Sequence, residues 1–296
     1  MGNIVDSILF QPPEPSRLKE NKLIWLKTSL GNKIPAFHIE YPYDQMNDRS
    51  PPITILYSHA NAEDLGCIYP WCKYLSRQLR VNIFAYDYTG YGLAMSEGRP
   101  NEKQCYADID AAYDYLRYRL KIPASQIVLY GRSLGSGPSC YLAAQTSITE
   151  DEETVGGLIL HAPFMSVFRI VIESGCTLLG DQFPNIDYIP HVNTPTLLIH
   201  GRVDKVVPVE HSMHIFEKLN DRSRTPPLFI DEMGHNNVQL VVRDLFLNHI
   251  NRYLDKYIRS STASRTPKSA MSKLIVNGRN GKHNATTRIA VSSGYR

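Results

Sequence analysis

Val128-Leu129-Tyr130-Gly131-Arg132-Ser133-Leu134-Gly135-Ser136-Gly137 is the stretch from which the fold of the whole chain can be inferred. Its apolar beginning, from Ile127 to Tyr130, predicts a buried strand, and Gly131 to Gly135 fits the G-x-S-x-G turn known as a nucleophile elbow. In such an elbow the serine lies on a strained turn between a strand and a helix, and glycines flank it because the backbone passes very close. The alternative is a glycine-rich connection with a solvated serine.

The composition of the chain is that of an ordinary globular protein. It has 296 residues, of which 43% are hydrophobic and 21% charged, enough for one large core or two small ones. The formal net charge is +3, but residues 256–296 hold nine Lys and Arg residues and no Asp or Glu, so the preceding residues carry −6. We therefore predict an N-terminal segment (1–19), one folded domain (20–258) and a basic disordered tail (259–296).

Several classes of protein are disfavoured by the sequence. The five cysteines are an odd number without framework spacing, which favours reduced thiols in the cytoplasm. The sequence shows no metal-ligand spacing, no signal peptide and no apolar run long enough to span a membrane, so we expect no metal and no cofactor. The basic tail lacks interleaved aromatic residues, so we expect no nucleic-acid partner. We expect a monomer.

Apolar runs alternate with amphipathic segments along the domain. Strands are predicted at residues 23–28, 33–40, 53–57, 82–86, 127–130, 157–161, 196–200 and 228–230. Helices are predicted at residues 67–79 and 105–120, after the elbow, at 211–219, and from His235 onward. The pattern predicts an α/β fold with a mostly parallel sheet, helices on both faces and a hairpin at the start. The stretch 163–190 is short for a cap domain, which predicts an open site.

Loops at the carboxyl ends of parallel strands meet in one crevice, and three of them carry a nucleophile, an acid and a base. Ser133, Asp204 and His235 occur in the chain order of the α/β-hydrolase triad. A serine hydroxyl needs a base to take its proton, and an imidazole is neutral yet basic near pH 7. Asp204 would hold the tautomer of His235 and stabilise the imidazolium. Asp204 alone fits a helix cap at Pro208 equally well.

Other carboxylates and the oxyanion donors complete the predicted site. Asp181 and Asp187 are weaker candidates for the acid because neither directly follows a strand, and Asp87 is expected to brace the loop 88–92. An oxyanion hole needs two backbone donors, one after the nucleophile and one after an earlier strand. These are predicted to be the amide of Leu134 and that of Ala60 or Asn61.

Several tracts, with the motifs above, carry a family resemblance over about residues 20–255. They are Ser58-His59-Ala60-Asn61-Ala62-Glu63-Asp64-Leu65-Gly66, Phe84-Ala85-Tyr86-Asp87-Tyr88-Thr89-Gly90-Tyr91-Gly92, Tyr106-Ala107-Asp108-Ile109-Asp110-Ala111-Ala112, Phe183-Pro184-Asn185-Ile186 and Gly234-His235-Asn236. The chain resembles the α/β-hydrolase domain-containing protein 17 family. That resemblance implies the α/β-hydrolase fold and a membrane-associated serine hydrolase that removes palmitoyl groups from cysteines of proteins.

Two departures from the family pattern concern the oxyanion loop and the membrane anchor. This chain has Ala60 where the family has glycine, and no cysteine precedes Cys67, whereas the family carries an acylated N-terminal cysteine cluster. Gly2 fits an imperfect N-myristoylation signal, and the basic tail could supply a second contact with an anionic membrane. We therefore expect a cytoplasmic protein peripheral to the cytosolic face of membranes.

The sequence leaves two other functions open. The triad does not name the acyl group or the leaving group, so a hydrolase of small esters, lipids or peptides is the first alternative. An inactive scaffold that binds acylated proteins is the second. The preferred prediction is a serine hydrolase that removes palmitate from S-acylated proteins through an acyl-enzyme on Ser133.

Overall fold

The computed structural model describes residues 9–16, 18, 22–46, 52–148, 153–171, 180–237 and 242–260. Gly2, Cys176 and residues 261–296 of the predicted tail lie outside these residues. The last helical turn runs through Arg259, whose guanidinium donates to Asp255 Oδ1 at 2.6 Å and to the Leu79 carbonyl at 2.5 Å. Arg259 therefore packs as part of the folded body.

The described residues contain one eight-stranded sheet in the order β1-β2-β4-β3-β5-β6-β7-β8. Its strands are β1 (Ile24–Lys27), β2 (Lys33–Ile39), β3 (Thr54–Ser58), β4 (Asn82–Tyr86), β5 (Ile127–Arg132), β6 (Gly157–His161), β7 (Thr196–Gly201) and β8 (Leu228–Ile230). Strand β2 pairs antiparallel with β1 and β4, and all remaining pairs are parallel. The predicted hairpin and the mostly parallel sheet are confirmed.

Helices cover both faces of the sheet. They are α1 (Leu65–Leu79), α2 (Glu102–Asp114), α3 (Ser136–Ile148), α4 (Val167–Val171), α5 (Asn185–Tyr188), α6 (Val209–Lys218) and α7 (Arg243–Tyr253). Helix α1 begins at a cap in which Asp64 Oδ1 accepts from the Cys67 amide at 2.9 Å, and α2 begins at a cap in which Asn101 accepts from the Gln104 amide. The short α4 and α5, followed by a 3-10 turn at Ile189–His191, lie between β6 and β7.

The core lies in two layers, one on each face of the sheet. Successive side chains of a strand point to opposite faces, so Leu129 of β5 joins the cluster beneath α2 and α3. Its neighbours Val128 and Tyr130 join the cluster beneath α1 and α7. Every residue of β3, β6 and β7 is buried, as expected of parallel strands covered on both faces. This double burial explains why the strands were visible as continuous apolar runs.

The prediction that His235 opens the last helix is wrong. Residues 235–236 form a bend, next to which the Gly234 amide donates to Asn237 Oδ1 at 2.8 Å. An asparagine side chain that accepts from a nearby amide favours a turn over a helix. The last helix begins at Arg243, and the predicted helical residues 238–241 lie outside the described residues.

Candidate active site

Ser133 lies at the tip of the turn between β5 and α3. Its φ angle is +50°, in the left-handed region, and residues Ser133–Gly135 form a single 3-10 turn. A side chain on Gly131 would collide with the Gly135 carbonyl, and one on Gly135 would collide with the Ser58 carbonyl. The two glycines are therefore required by close backbone approach, and the strained serine is held at the end of the sheet.

The structure brings Ser133, His235 and Asp204 together from three separate loops. His235 Nε2 lies 3.0 Å from Ser133 Oγ, and His235 Nδ1 lies 2.7 Å from Asp204 Oδ2. The carboxylate side chain is fully buried, while the imidazole side chain is 10% exposed. Both distances are those of hydrogen bonds, so a base contacts the hydroxyl and an acid contacts the base.

The carboxylate of Asp204 is held in its charged form. Oδ1 accepts from the amides of Val206 at 2.8 Å and Val207 at 2.9 Å. Burial alone would raise the pKa of this carboxyl, but hydrogen bonds from His200, His235 and the Val207 amide outweigh burial and hold the pKa below its usual value. An ionised Asp204 accepts the Nδ1 hydrogen of His235 and leaves Nε2 able to take a proton from Ser133.

The other candidate acids serve local structure. Asp181 accepts from the amides of Phe168 and Gln182, both at 2.9 Å, and Asp187 lies in α5. Asp87 accepts from the Leu65 amide at 2.8 Å and also from the Leu93 amide, so it braces the loop after β4 as predicted. Of the four carboxylates considered, Asp204 is the one hydrogen-bonded to His235.

The loop after β3 separates the two alternatives for the second oxyanion donor. The Ala60 amide donates to Glu63 Oε2 at 2.9 Å, so this hydrogen is already used within the loop. Ala60, Asn61 and Leu134 all line the cavity of Ser133. Because the Ala60 amide is already engaged, Asn61 is the better candidate for the second donor, and the role of the Leu134 amide stays a prediction.

Ser133 opens into a cavity of about 810 Å³. This volume is within the range of small-molecule sites. Its polar lining residues include Glu63, Arg132, Asn236 and His235. Most of its lining is apolar and includes Leu9, Leu134, Phe164, Val167, Phe168, Ile170, Val206 and Val207.

The sequence of this chain is similar to those of known α/β-hydrolases. A model of the α/β-hydrolase fold family matches residues 53–175. The α/β-hydrolase domain-containing protein aho-3 of Caenorhabditis elegans is 33% identical over 305 residues, covering 94% of this chain and 86% of that protein. The human α/β-hydrolase domain-containing protein 17B is 37% identical over 215 residues, covering 72% of this chain and 69% of that protein. This chain belongs to the α/β-hydrolase domain-containing protein 17 family.

Solved structures place this family member in the same fold. The Pyrococcus furiosus esterase Pf2001 matches with a TM-score of 0.64 and 16% identity, over 84% of this chain and 99% of the esterase. A Xanthomonas campestris protein described as a serine hydrolase without lid matches with a TM-score of 0.56 and 16% identity, over 84% of this chain and 98% of that chain. The α/β-hydrolase fold is therefore confirmed.

One ion pair of this family member was missed by the sequence analysis. The guanidinium of Arg132, the residue before Ser133, contacts the Glu63 carboxylate and donates to Asn236 Oδ1 at 2.7 Å and to the His235 carbonyl at 3.3 Å. Since Glu63 also accepts from the Ala60 amide, the pair ties together the elbow, the loop after β3 and the loop of His235. The sequence signal that could have indicated this ion pair was the charged residue Arg132 between Gly131 and Gly135 of the elbow.

The N-terminal segment lies against the same loop. Asn61 Nδ2 donates to the Leu9 carbonyl at 2.5 Å, and Asn61 Oδ1 accepts from the Gln11 amide at 2.9 Å and from the Tyr91 hydroxyl at 2.6 Å. Phe10 is buried, with its ring edge against Phe183. Residues 9–16 are therefore packed onto the hydrolase body beside Ser133.

Cys67, the other nucleophilic side chain of the cavity lining, is poorly suited to attack. Burial, together with the nearby carboxylates of Glu63 and Asp64, raises the pKa of the Cys67 thiol. Because the thiolate is the reactive form, a raised pKa lowers its population at neutral pH.

Within the described ranges, no cluster of three or more potential metal ligands occurs, and no helix has the length and hydropathy needed to cross a bilayer.

Proposed function

We propose that this chain is a serine hydrolase that cleaves acyl thioesters and removes palmitate from S-acylated cysteines of proteins. The observation that carries the proposal is the continuous hydrogen-bond chain from Ser133 through His235 to Asp204. Membership of the α/β-hydrolase domain-containing protein 17 family supports a hydrolase. The proposed thioester specificity rests on the family resemblance and on the residues that line the cavity.

The reaction follows from the placement of the side chains. His235 Nε2 takes the hydroxyl proton while Ser133 Oγ forms a bond to the acyl carbonyl carbon. The amides of Leu134 and Asn61 hold the carbonyl oxygen as it becomes an oxyanion. The carbon–sulfur bond then breaks, and the cysteine leaves readily because a free thiol has a pKa of about 8.5. His235 passes the proton that it took from Ser133 to the departing sulfur, which returns the imidazole to its neutral form. His235 next activates a water molecule, which releases the fatty acid and restores Ser133.

The mixed lining of the cavity supports an acyl substrate with a polar leaving group. Aliphatic and aromatic side chains from α4 and Leu9, here called the acyl wall, offer apolar surface on which a hydrocarbon chain would be removed from water. The lining also includes Arg132, Glu63 and Asn236, where a peptide carrying the thioester would find hydrogen-bond partners. We assign the acyl chain to the acyl wall and the peptide to these polar residues.

The proposed test is turnover of an S-palmitoylated peptide compared with the matching oxygen ester, by the wild-type protein and by Ser133→Ala. We expect the wild type to release free thiol and palmitate faster than it hydrolyses the oxygen ester, and the variant to release neither. Preference for short oxygen esters would instead indicate a hydrolase of small esters. Equal rates for both proteins would remove Ser133 from the mechanism.

Replacing Phe168 with serine tests the acyl wall. Phe168 lines the cavity and is half-buried. Loss of its apolar contact is expected to lower kcat/KM for a palmitoyl thioester by roughly tenfold to a hundredfold. An acetyl thioester, which does not reach the wall, keeps its kcat/KM. The control is Leu245→Ser, because Leu245 is 52% exposed and does not line the cavity. Equal losses for both substrates would contradict the assignment.

We further propose that the protein works at the cytosolic face of membranes, on S-acylated proteins held there. The proposed signals are a myristoyl group on Gly2 and the basic residues of 261–296, both outside the described residues. The position of Leu9 in the cavity lining supports this orientation, because an anchor only seven residues earlier would hold the cavity near the bilayer.

Gly2→Ala is expected to lose most membrane attachment. A single myristoyl chain binds bilayers only marginally, and a basic segment adds about 1 kcal/mol per positive residue near an anionic surface. The measurement is co-flotation of N-myristoylated protein with vesicles containing phosphatidylserine. The wild type should float at low salt, while Gly2→Ala and protein lacking residues 261–296 should float much less. Unchanged flotation of both variants would contradict the proposal.

A further inference from the structure

A second imidazole approaches Asp204 at Oδ2, the same carboxylate oxygen that is hydrogen-bonded to His235. His200 lies near the end of β7, is fully buried, and places Nε2 at 3.3 Å from Asp204 Oδ2 and 2.9 Å from the Val207 carbonyl. Its other ring nitrogen, Nδ1, lies 2.6 Å from the hydroxyl of Ser212, a buried residue of α6. Nothing in the proposed reaction requires this second histidine.

The partners of His200 determine where its hydrogen lies. Nε2 faces two acceptors, a carbonyl and a carboxylate, so this nitrogen must carry the hydrogen. In the neutral ring Nδ1 is then the acceptor, and the Ser212 hydroxyl donates to it. Ser212 therefore fixes the tautomer in which His200 donates toward Asp204.

His200 completes the set of donors around Asp204. The backbone amides of Val206 and Val207 donate to Oδ1, and the imidazoles of His235 and His200 face Oδ2. By donating also to the Val207 carbonyl, His200 closes the loop that carries Asp204 back onto β7. The carboxylate is thus restrained on both oxygens, with Oδ2 directed at His235.

We propose that His200 is a positioning residue for the reaction: its Nε2–H orients the Asp204 carboxylate toward His235, and Ser212 holds the ring in the donating tautomer. This inference rests on the proposed function, since it concerns how Ser133 is activated. It predicts that a change at His200, which touches neither substrate nor Ser133, lowers turnover without weakening substrate binding.

The test compares His200→Phe, which keeps a ring but removes the donor, with His200→Gln, which keeps a side-chain N–H. For His200→Phe, kcat is expected to fall by about tenfold to a hundredfold because a hydrogen bond to a charged acceptor is lost, while KM stays constant. His200→Gln should recover most of the loss. The matched control is His161→Phe, since His161 is equally buried at the end of β6 but is hydrogen-bonded to the Tyr130 hydroxyl. That control should keep the wild-type kcat.

A second measurement separates this inference from the proposed substrate. The rate at which a fluorophosphonate labels Ser133 depends on its activation by His235 and not on any acyl group or thiol. Wild-type protein that is not labelled would refute the serine hydrolase itself. A labelled wild type together with His200→Phe labelled at the same rate would refute only the role of His200. If His200→Phe does not fold, Ser212→Ala decides, because wild-type labelling and kcat in that variant would overturn the proposal.

Discussion

Replacing Ser133 with alanine is expected to lower kcat by about 10⁶-fold, the loss typical of removing the nucleophile from a serine hydrolase. The reason is geometric: among the described residues, the Ser133 hydroxyl alone combines a strained turn, with φ at +50°, and a hydrogen-bond contact with His235 at 3.0 Å. The residual rate reflects binding and the oxyanion donors, which remain in the variant. Steady-state hydrolysis of an S-palmitoylated peptide measures the effect.

The control for Ser133→Ala is Ser147→Ala in α3. Ser147 donates to the Ala143 carbonyl at 2.7 Å and accepts from the Asn193 amide at 3.1 Å, and it does not line the cavity, so its removal is expected to leave kcat unchanged. Fluorophosphonate labelling gives an independent readout, since a wild-type protein that is labelled and a Ser133→Ala protein that is not would identify the modified residue. A wild type that binds acylated peptide without turnover or labelling would instead indicate a scaffold.

Asp204→Asn is expected to lower kcat by about 10⁴-fold, the loss observed when the acid of such a triad becomes an amide. The Asn side chain can donate to His235 Nδ1, which places the ring hydrogen on Nε2. That nitrogen then faces Ser133 Oγ without a lone pair to receive its proton. The control is Asp231→Asn, because the Asp231 side chain is 84% exposed and pairs with Arg202 away from the cavity.

The same carboxylate should make stability depend on pH. Hydrogen bonds from His200, His235 and the Val207 amide more than offset burial, so the pKa of Asp204 is lower in the folded state than in the unfolded chain, where it is about 3.9. The charged group therefore stabilises the fold above about pH 4, and this contribution is lost as the pH falls below that value. Urea unfolding of wild type and Asp204→Asn should show a stability difference that is largest at neutral pH and shrinks in acid. A difference that grows in acid would contradict the lowered pKa.

Much of the fold could be predicted because its strands are buried on both faces. Runs such as those of β3 and β5 are continuously apolar and end at glycine or polar residues, so their positions and their parallel arrangement were visible. Ser133, Asp204 and His235 could be named because each follows the end of a strand. Because these strands are parallel, the loops at their carboxyl ends lie at one edge of the sheet, which brings the three residues together.

Contacts between distant residues were not visible in the same way. The pairing of Arg132 with Glu63 joins residues 69 positions apart, and no local pattern announces it. The start of the last helix was predicted wrongly for a local reason. The apolar residues at helical spacing follow a bend, and the Asn237 side chain stabilises that bend. The choice between Ala60 and Asn61 as oxyanion donor depended on where one amide hydrogen points.

The packing of residues 9–16 has a practical consequence for producing the protein. Deletion of residues 1–16 would remove Phe10 from its place against Phe183. It would also remove the Leu9 carbonyl that accepts from Asn61 Nδ2 and the Gln11 amide that donates to Asn61 Oδ1. Purification tags are therefore better fused at the carboxyl end, and an amino-terminal deletion chosen by sequence alignment alone risks a soluble preparation with a distorted reaction centre.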